Sequence, residues 1–246
     1  MSAEKCCEIL GAQRKSRFVL CCDHASNAVP PSVNGGDLGL PPEDMERHIA
    51  YDVGAAGLTR ALAALLDAPA ILSCWSRLVI DPNRADWDPT LVRRIYDGTV
   101  IPANRAVDQA EITRRIEAYY RPYHDALAAF LAGRDAVLVS MHSFTPQLRG
   151  RSKRPWHVGV LHSPRDDRFS KALIARLVQV STAPVGDNEP YSGHLPGDTV
   201  DSHALDHGRH NTLIEVRNDL ITTPEGQQQM ADFLAPILVN ALKDIT

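Results

Sequence analysis

Two short, unbroken apolar runs constrain this 246-residue chain more than anything else in it: Arg17–Cys22 (RFVLCC) and Ala136–Ser140 (AVLVS). Neither alternates polar with apolar residues, so neither can leave one face in water. Such runs are interior strands of a sheet covered by helices on both faces. The covering helices are legible as apolar residues at helical spacing: Ala55, Leu58, Leu62 and Leu65; Ile112, Ile116, Tyr119, Tyr123, Leu127 and Phe130; Phe169, Leu173, Leu177 and Val180; Met230, Phe233, Ile237 and Ala241. Further strands are expected at Ala70–Cys74, Leu78–Ile80, Trp156–Leu161 and Thr212–Val216. Glu43–Asp67 reads as mostly helix, broken near Gly54 or Gly57, and Pro122 predicts a kink or split in its helix. Strands alternating with helices throughout predict an α/β fold: a single domain over residues 1–246, with a central mixed, mostly parallel sheet flanked by helices. Residues 1–15 are expected to form a poorly structured N-terminal extension.

Composition narrows the classes of function. The net charge of −4 and the lack of any basic tract give no reason to expect a nucleic-acid partner or an anionic membrane surface. The apolar stretches fall far short of the ~20 residues that span a bilayer. The opening MSAEKCCEIL lacks a long apolar core, so no secretory leader is expected. Five cysteines, four of them in the adjacent pairs Cys6-Cys7 and Cys21-Cys22, suit reduced thiols in a cytoplasmic protein better than a disulfide framework.

Polar residues stand where the apolar runs end. Asp23-His24 follows RFVLCC, and His142-Ser143 follows AVLVSM. Open α/β sheets bind ligands beyond the carboxyl ends of their strands, and two imidazoles delivered there can share a metal ion. Glu215 interrupts the apolar strand TLIEVR, where an uncompensated carboxylate is costly. Arg217, two residues on, projects from the same face, so the pair reads either as a structural ion pair or as a general base with a cation beside it. In Asp81-Pro82-Asn83-Arg84, the planar fork of Arg84 and the amide of Asn83 suit a carboxylate, or the tetrapeptide is simply a capped turn. Glu46, His48 and Asp52 each offer a third metal ligand. His203, His207 and His210 form a rival cluster, but Ala204 stands where a zinc-protease motif has Glu, which favours a substrate-contact or structural role. No G-x-S-x-G elbow, phosphate loop or dinucleotide fingerprint is present.

Taken together, CDHASNAVP (22–30), RHIAYDVGA (47–55), SRLVIDPNR (76–84), YYRPYHDAL (119–127), MHSFTP (141–146), NEPYSG (188–193) and HGRHNTLIEVRNDLI (207–221) make the chain resemble the N-formylglutamate amidohydrolase family. That family is similar in fold to the zinc carboxypeptidases, and DPNR, MHSF and IEVRND look like segments of that group. The resemblance implies a zinc-carboxypeptidase-like fold and one Zn²⁺ per chain. It implies His24 and His142 as metal ligands and Glu215 as the base. Asn83 and Arg84 would hold a substrate carboxylate, and Arg77 or Arg217 would stabilise the tetrahedral oxyanion. Tyr191 and His207 would close over the site. Asn27 stands where the carboxypeptidase pattern has its Glu ligand, so the third ligand is expected from Glu46, with His48 in reserve. The implied reaction is hydrolysis of the amide of an N-acyl amino acid, most simply N-formyl-L-glutamate to formate and L-glutamate. The alternatives are a zinc deacylase or peptidase with a longer acyl or peptidoglycan-type substrate, and a non-catalytic metal-binding module. The partner expected is thus a small molecule, and the oligomeric state is left open.

Overall fold

The computed structural model describes residues 5–148 and 150–246. In chain order, β1 (Cys7–Leu10), β2 (Phe18–Cys22), α1 (Pro42–Met45), α2 (Ala55–Leu65) and β3 (Ala70–Ser73) come first. A small hairpin of β4 (Ile95–Tyr96) and β5 (Thr99–Val100) precedes α3 (Gln109–Arg115) and α4 (Arg121–Leu131). Then follow β6 (Val137–Phe144), β7 (Val158–Leu161), α5 (Arg168–Val180), β8 (Val185–Asp187), α6 (Thr199–His203), β9 (Asn211–Arg217) and α7 (Pro224–Lys243). Seven strands form one mixed sheet in the order β1-β3-β2-β6-β9-β7-β8. β3, β2, β6 and β9 run parallel; β1 and β7 pair antiparallel at either side, and β8 runs parallel to β7. The expected single α/β domain with a mostly parallel, helix-covered sheet is what the chain forms.

Strand alternation divides the core. Phe18, Leu20 and Cys22, Val139 and Met141, and Ile214 and Val216 face one side, where α2, α5 and α7 cover them with Leu58, Leu62, Phe169, Leu173, Leu234 and Leu238. Val19, Cys21, Leu138 and Leu213 face the other, under Tyr123, Leu127 and Leu131 of α4 and Val200 of α6. The period of two then assigns Asp23, His142 and Glu215 to this second face, at the carboxyl ends of β2, β6 and β9. His142 and Glu215 sit side by side in the register of β6 and β9.

Three local expectations differ from what forms. Residues 1–15 are not all a loose extension: Cys7–Leu10 is the antiparallel edge strand β1, and Arg14 anchors the link to β2 by donating to the Ala63 and Ala68 carbonyls, both at 3.0 Å. Residues 1–4 lie outside the described residues. Leu78–Ile80 is a turn rather than a strand. Its side chains are buried in a third cluster with Val33, Leu38, Leu91 and Ile101, and its carbonyls are satisfied by Asn104 (to Leu78, 2.8 Å) and Arg115 (to Val79, 2.9 Å). Within Glu43–Asp67 the break falls at Gly54, as expected, where φ is +79°, but less of the stretch is helical than expected, because α1 ends at Met45 and α2 begins only at Ala55. α3 and α4 are joined by a π-helical turn, Ile116–Tyr120, so the strain of Pro122, which has no N–H for the preceding turn, is absorbed by a wider turn instead of a split. All five cysteines are free thiols. Among the described residues, no helix is long and apolar enough to cross a membrane.

Gly54 is fixed twice over, because a Cβ there would lie 2.1 Å from the Ile221 carbonyl oxygen as well as at positive φ. Gly54→Ala is expected to cost about 2 kcal/mol or more of stability, measured by urea unfolding. A loss below about 0.5 kcal/mol would show that the α2 entry relaxes freely.

Candidate metal centre and substrate cavity

His24, Asp52 and His142 are all buried, and each offers one ligand atom within 4.8 Å of the other two. β2 and β6 deliver the imidazoles. Asp52 comes from the loop before α2, tied down by its own backbone N–H to the His24 carbonyl at 2.9 Å. Asp52 Oδ2 lies 2.8 Å from His142 Nδ1 and 3.2 Å from His24 Nδ1. The two rings meet edge-on with centroids 4.8 Å apart.

Each ring has a second carboxylate on its far side. His24 Nε2 faces Asp81 Oδ1 at 2.7 Å, and His142 Nε2 faces Asp23 Oδ2 at 3.2 Å. A carboxylate only accepts, so with a metal ion on the Nδ1 side each Nε2 would keep its proton and each Nδ1 lone pair would be turned to the common point. Two imidazole nitrogens and a carboxylate oxygen are the donor set of a catalytic zinc site, which keeps a further position open. The residues therefore fit a divalent metal. Burial works against a charged His142, but the hydrogen bonds and charges of Asp23 and Asp52 outweigh it and raise its pKa well above the usual value. Asp23 is driven down to about 2 despite its burial, chiefly by His142.

A cavity of about 280 Å³ opens over this point. Glu215 stands in its wall, 7% exposed, and its Oε2 has no protein partner. Burial pushes its carboxyl up to about 8; the charge of Asp52 adds to this, while His142, Arg77 and Arg154 pull it down. Asn83, Arg84, Arg77 and Tyr191 also line the cavity. Arg84 donates to the Asn83 carbonyl at 2.6 Å and has no ion pair among the described residues, so its charge is available to a ligand.

Other expected site residues lie elsewhere. Glu46 accepts from Asn27 (3.1 Å) and from the Tyr51 hydroxyl (3.0 Å), outside the metal cluster, and Asp52 takes the third place. His48 reaches the cavity but lies 3.5 Å from Asp97. Arg77 is engaged by Asp81 (2.9 Å) and Asp52 (3.3 Å), which makes it the counter-charge of the centre. Arg217 donates to Asp219 at 2.8 Å, forms no pair with Glu215 and is not in the cavity wall. His207 is exposed beyond α6, and His203 bonds His124, so the His203, His207, His210 series holds no metal cluster.

The residues that sequence reasoning missed are carboxylates behind the ligands. Asp23 was legible as the polar residue that ends β2 on the site face. Asp198 lines the cavity, caps α6 by accepting from the Asp201 N–H at 2.7 Å, and is raised to about 7 by burial and then by the charge of Asp23.

Comparison with known proteins adds a family. The sequence profile described as N-formylglutamate amidohydrolase matches residues 16–222. A gene product of Agrobacterium tumefaciens is similar in structure at 34% identity and a TM-score of 0.92, over 98% of this chain and 96% of that one. An N-formylglutamate amidohydrolase of Ralstonia eutropha is similar at 19% identity and a TM-score of 0.75, over 98% of both chains. A bacteriophage poly-γ-glutamate hydrolase is similar at 9% identity and a TM-score of 0.51, over 99% of this chain and 91% of that one. The last two likenesses extend to the fold alone. No curated protein sequence matches the chain.

Asp52→Ala is expected to abolish uptake of a stoichiometric divalent metal, whereas Glu46→Ala leaves it intact; elemental analysis after dialysis against zinc reads both. The reverse pattern would return the third place to Glu46. In metal-free protein the folded chain holds the Glu215 proton up to about 8, whereas an ordinary glutamate releases it near 4.5. The native state binds the extra proton between those values, so stability falls as pH rises through that window. Glu215→Gln is expected to reduce this slope by the share of one proton, leaving the part that Asp198, raised to about 7, contributes in the same direction. Urea unfolding in chelator at pH 5 and pH 8 measures it, and an unchanged slope would show that Glu215 does not hold the proton.

Proposed function

Because the chain belongs to the N-formylglutamate amidohydrolase family, we propose that it is a zinc-dependent hydrolase of small N-acyl amino acids, with N-formyl-L-glutamate the simplest substrate and formate and L-glutamate the products. One observation carries the reading: Glu215, a buried carboxylate with one oxygen that has no protein partner, lines the same small cavity as the His24, Asp52 and His142 cluster. A purely structural metal site needs neither a free base nor an open face.

His24, Asp52 and His142 would hold one zinc ion per chain. When bound, that ion polarises the acyl carbonyl and acidifies water near neutral pH. Glu215 takes the proton of the attacking water as its oxygen bonds to the acyl carbon. The same carboxyl then delivers that proton to the amide nitrogen as the C–N bond breaks, so the amine leaves neutral. Arg84, with the Asn83 amide, holds a substrate carboxylate and sets which carbonyl meets the base. Tyr191, on the loop after β8, covers the far wall. Arg77 keeps Asp52 and Asp81 charged and in place. A cavity of about 280 Å³ suits a small acyl amino acid better than a peptidoglycan-type chain, and free thiols suit a cytoplasmic setting.

Formate release is measured against a panel of N-formyl and longer N-acyl amino acids with zinc-loaded protein. Glu215→Gln is expected to keep its zinc and lose about 100-fold or more in kcat; near-normal turnover would remove Glu215 from the chemistry. Arg84→Ala is expected to raise KM for acidic substrates about tenfold with little change in kcat. A KM that does not move places the carboxylate elsewhere, and release of a longer acyl group in preference to formate would reassign the substrate.

A further inference from the structure

The π-helical turn lets one continuous rod serve two regions. Ile116 and Tyr119 pack into the loop cluster, and Tyr123, Leu127 and Leu131 pack under the sheet. At the junction, Tyr120, Tyr123 and His124 each carry a polar atom to a different part of the site, although none of them lines the cavity. The Tyr120 hydroxyl donates to the Arg84 carbonyl at 2.8 Å. His124 Nε2 meets the Pro82 carbonyl at 3.0 Å. The Tyr123 hydroxyl donates to Asp23 Oδ1 at 2.7 Å, on the carboxylate that holds His142.

The surrounding contacts leave these groups little freedom. A carbonyl only accepts, so His124 Nε2 carries the proton and Nδ1 accepts from His203 Nε2 at 2.8 Å; the two rings are stacked within 7° of parallel. Thr199 joins both halves. Its hydroxyl lies 3.0 Å from Asp23 Oδ1 and 3.3 Å from the Pro82 carbonyl, and its N–H donates to Asn83 Oδ1 at 3.2 Å. Wide turns of this kind are frequent at functional sites, where they re-aim side chains.

We propose that this junction is a positioning element with two separable arms. Tyr120 and His124 fix the Pro82–Arg84 turn and through it the substrate carboxylate. Tyr123, with Thr199, fixes the Asp23–His142 pair and through it the metal. The assignment rests on the site reading above. It adds residues that touch neither substrate nor metal and predicts which kinetic quantity each controls. Partners behind metal-ligating histidines typically matter 10–100-fold in metal affinity or activity.

Tyr120→Phe and Tyr123→Phe each remove one hydroxyl and keep the ring in its packing. Formate release from N-formylglutamate, and zinc affinity by competition with a chromogenic chelator, are measured on the full chain. Tyr120→Phe is expected to raise KM about fivefold, with kcat and zinc affinity within about twofold of wild type. Tyr123→Phe is expected to weaken zinc about tenfold and leave KM at saturating zinc within about twofold. Ser140→Ala, which takes from Asp23 Oδ2 the hydroxyl that donates to it at 3.2 Å, repeats the zinc loss and carries that arm should Tyr123→Phe not fold. Lost packing alone would move the same quantities in both tyrosine variants, so parallel effects, or none, overturn the proposal. If wild-type protein releases no formate, the substrate reading falls by itself. The Tyr123 arm then decides the positioning claim, and an unchanged zinc affinity overturns it.

Discussion

The centre is governed by a charge balance that has to close inside the protein. Asp23, Asp52 and Asp81 are essentially inaccessible, and Glu215 is buried beside them. Against these four carboxyls stand Arg77, in direct contact with two of them, and Arg93, at 3.8 Å from Asp81. With these carboxyls ionised and both imidazoles neutral, the negative charges exceed those of Arg77 and Arg93, and a divalent cation bound at the cluster would offset the excess. Without the cation, the same cluster balances by protonating His142 and Glu215, which is the direction both groups are pushed. Burying unbalanced charge costs several kcal/mol per ion, so the site has two cheap states, one with metal and one with protons. In this view the ligand set, the raised base and the counter-ion Arg77 are a single electrostatic unit.

The sheet supplies the geometry that unit requires. Parallel β2, β6 and β9 end at one edge, and the period of two directs Asp23, His142 and Glu215 to one face of it. A one-residue slip of β9 against β6 would turn Glu215 into the α2/α7 core, where no compensating charge exists. The apolar residues on either side, Ile214 and Val216, hold the register because they are fully buried on that opposite face. The hydrophobic pattern thus sets the position of Glu215 to within one residue, and the loops only complete the cavity around it.

What was legible in the sequence follows this division. RFVLCC, AVLVS and TLIEVR announced their strands by unbroken apolarity, and the polar residues at their ends or within them announced the site edge. Glu215 was legible because it violated its strand, and Arg84 because its turn followed an apolar run. The third member of the cluster was not, since Glu46, His48 and Asp52 lie within one short stretch, and contacts distant in sequence set their places: Asp52 bonds the His24 carbonyl through its N–H, and Glu46 accepts from Asn27 and Tyr51. Arg217 misled for a related reason. Shared strand parity puts it on the face of Glu215, but Asp219 lies closer and takes its guanidinium. Leu78–Ile80 misled because burial under loops leaves the same apolar trace as burial in a sheet.

Asp81 shows why metal and substrate binding should be coupled in such a site. One of its oxygens accepts from His24 Nε2 and from the Asn83 N–H, and the other from Arg77. It therefore fixes the orientation of a metal ligand with the same carboxylate that starts the turn presenting Asn83 and Arg84. That turn and the imidazole are joined through Asp81 by direct bonds of 2.7 and 3.1 Å, so a movement of the turn would act on the imidazole. The opposite imidazole is held through Asp23 by Tyr123, from the helix whose Tyr120 braces Arg84. Both ligands are thus oriented from behind by structure that also touches the carboxylate turn. On the proposed function, a substrate with its acid group seated on Arg84 would meet a centre already aligned, whereas one without that group would leave the turn unengaged. Discrimination of this kind acts on the geometry of reaction as well as on binding, because the same interactions fix the carboxylate and the groups that surround the scissile bond.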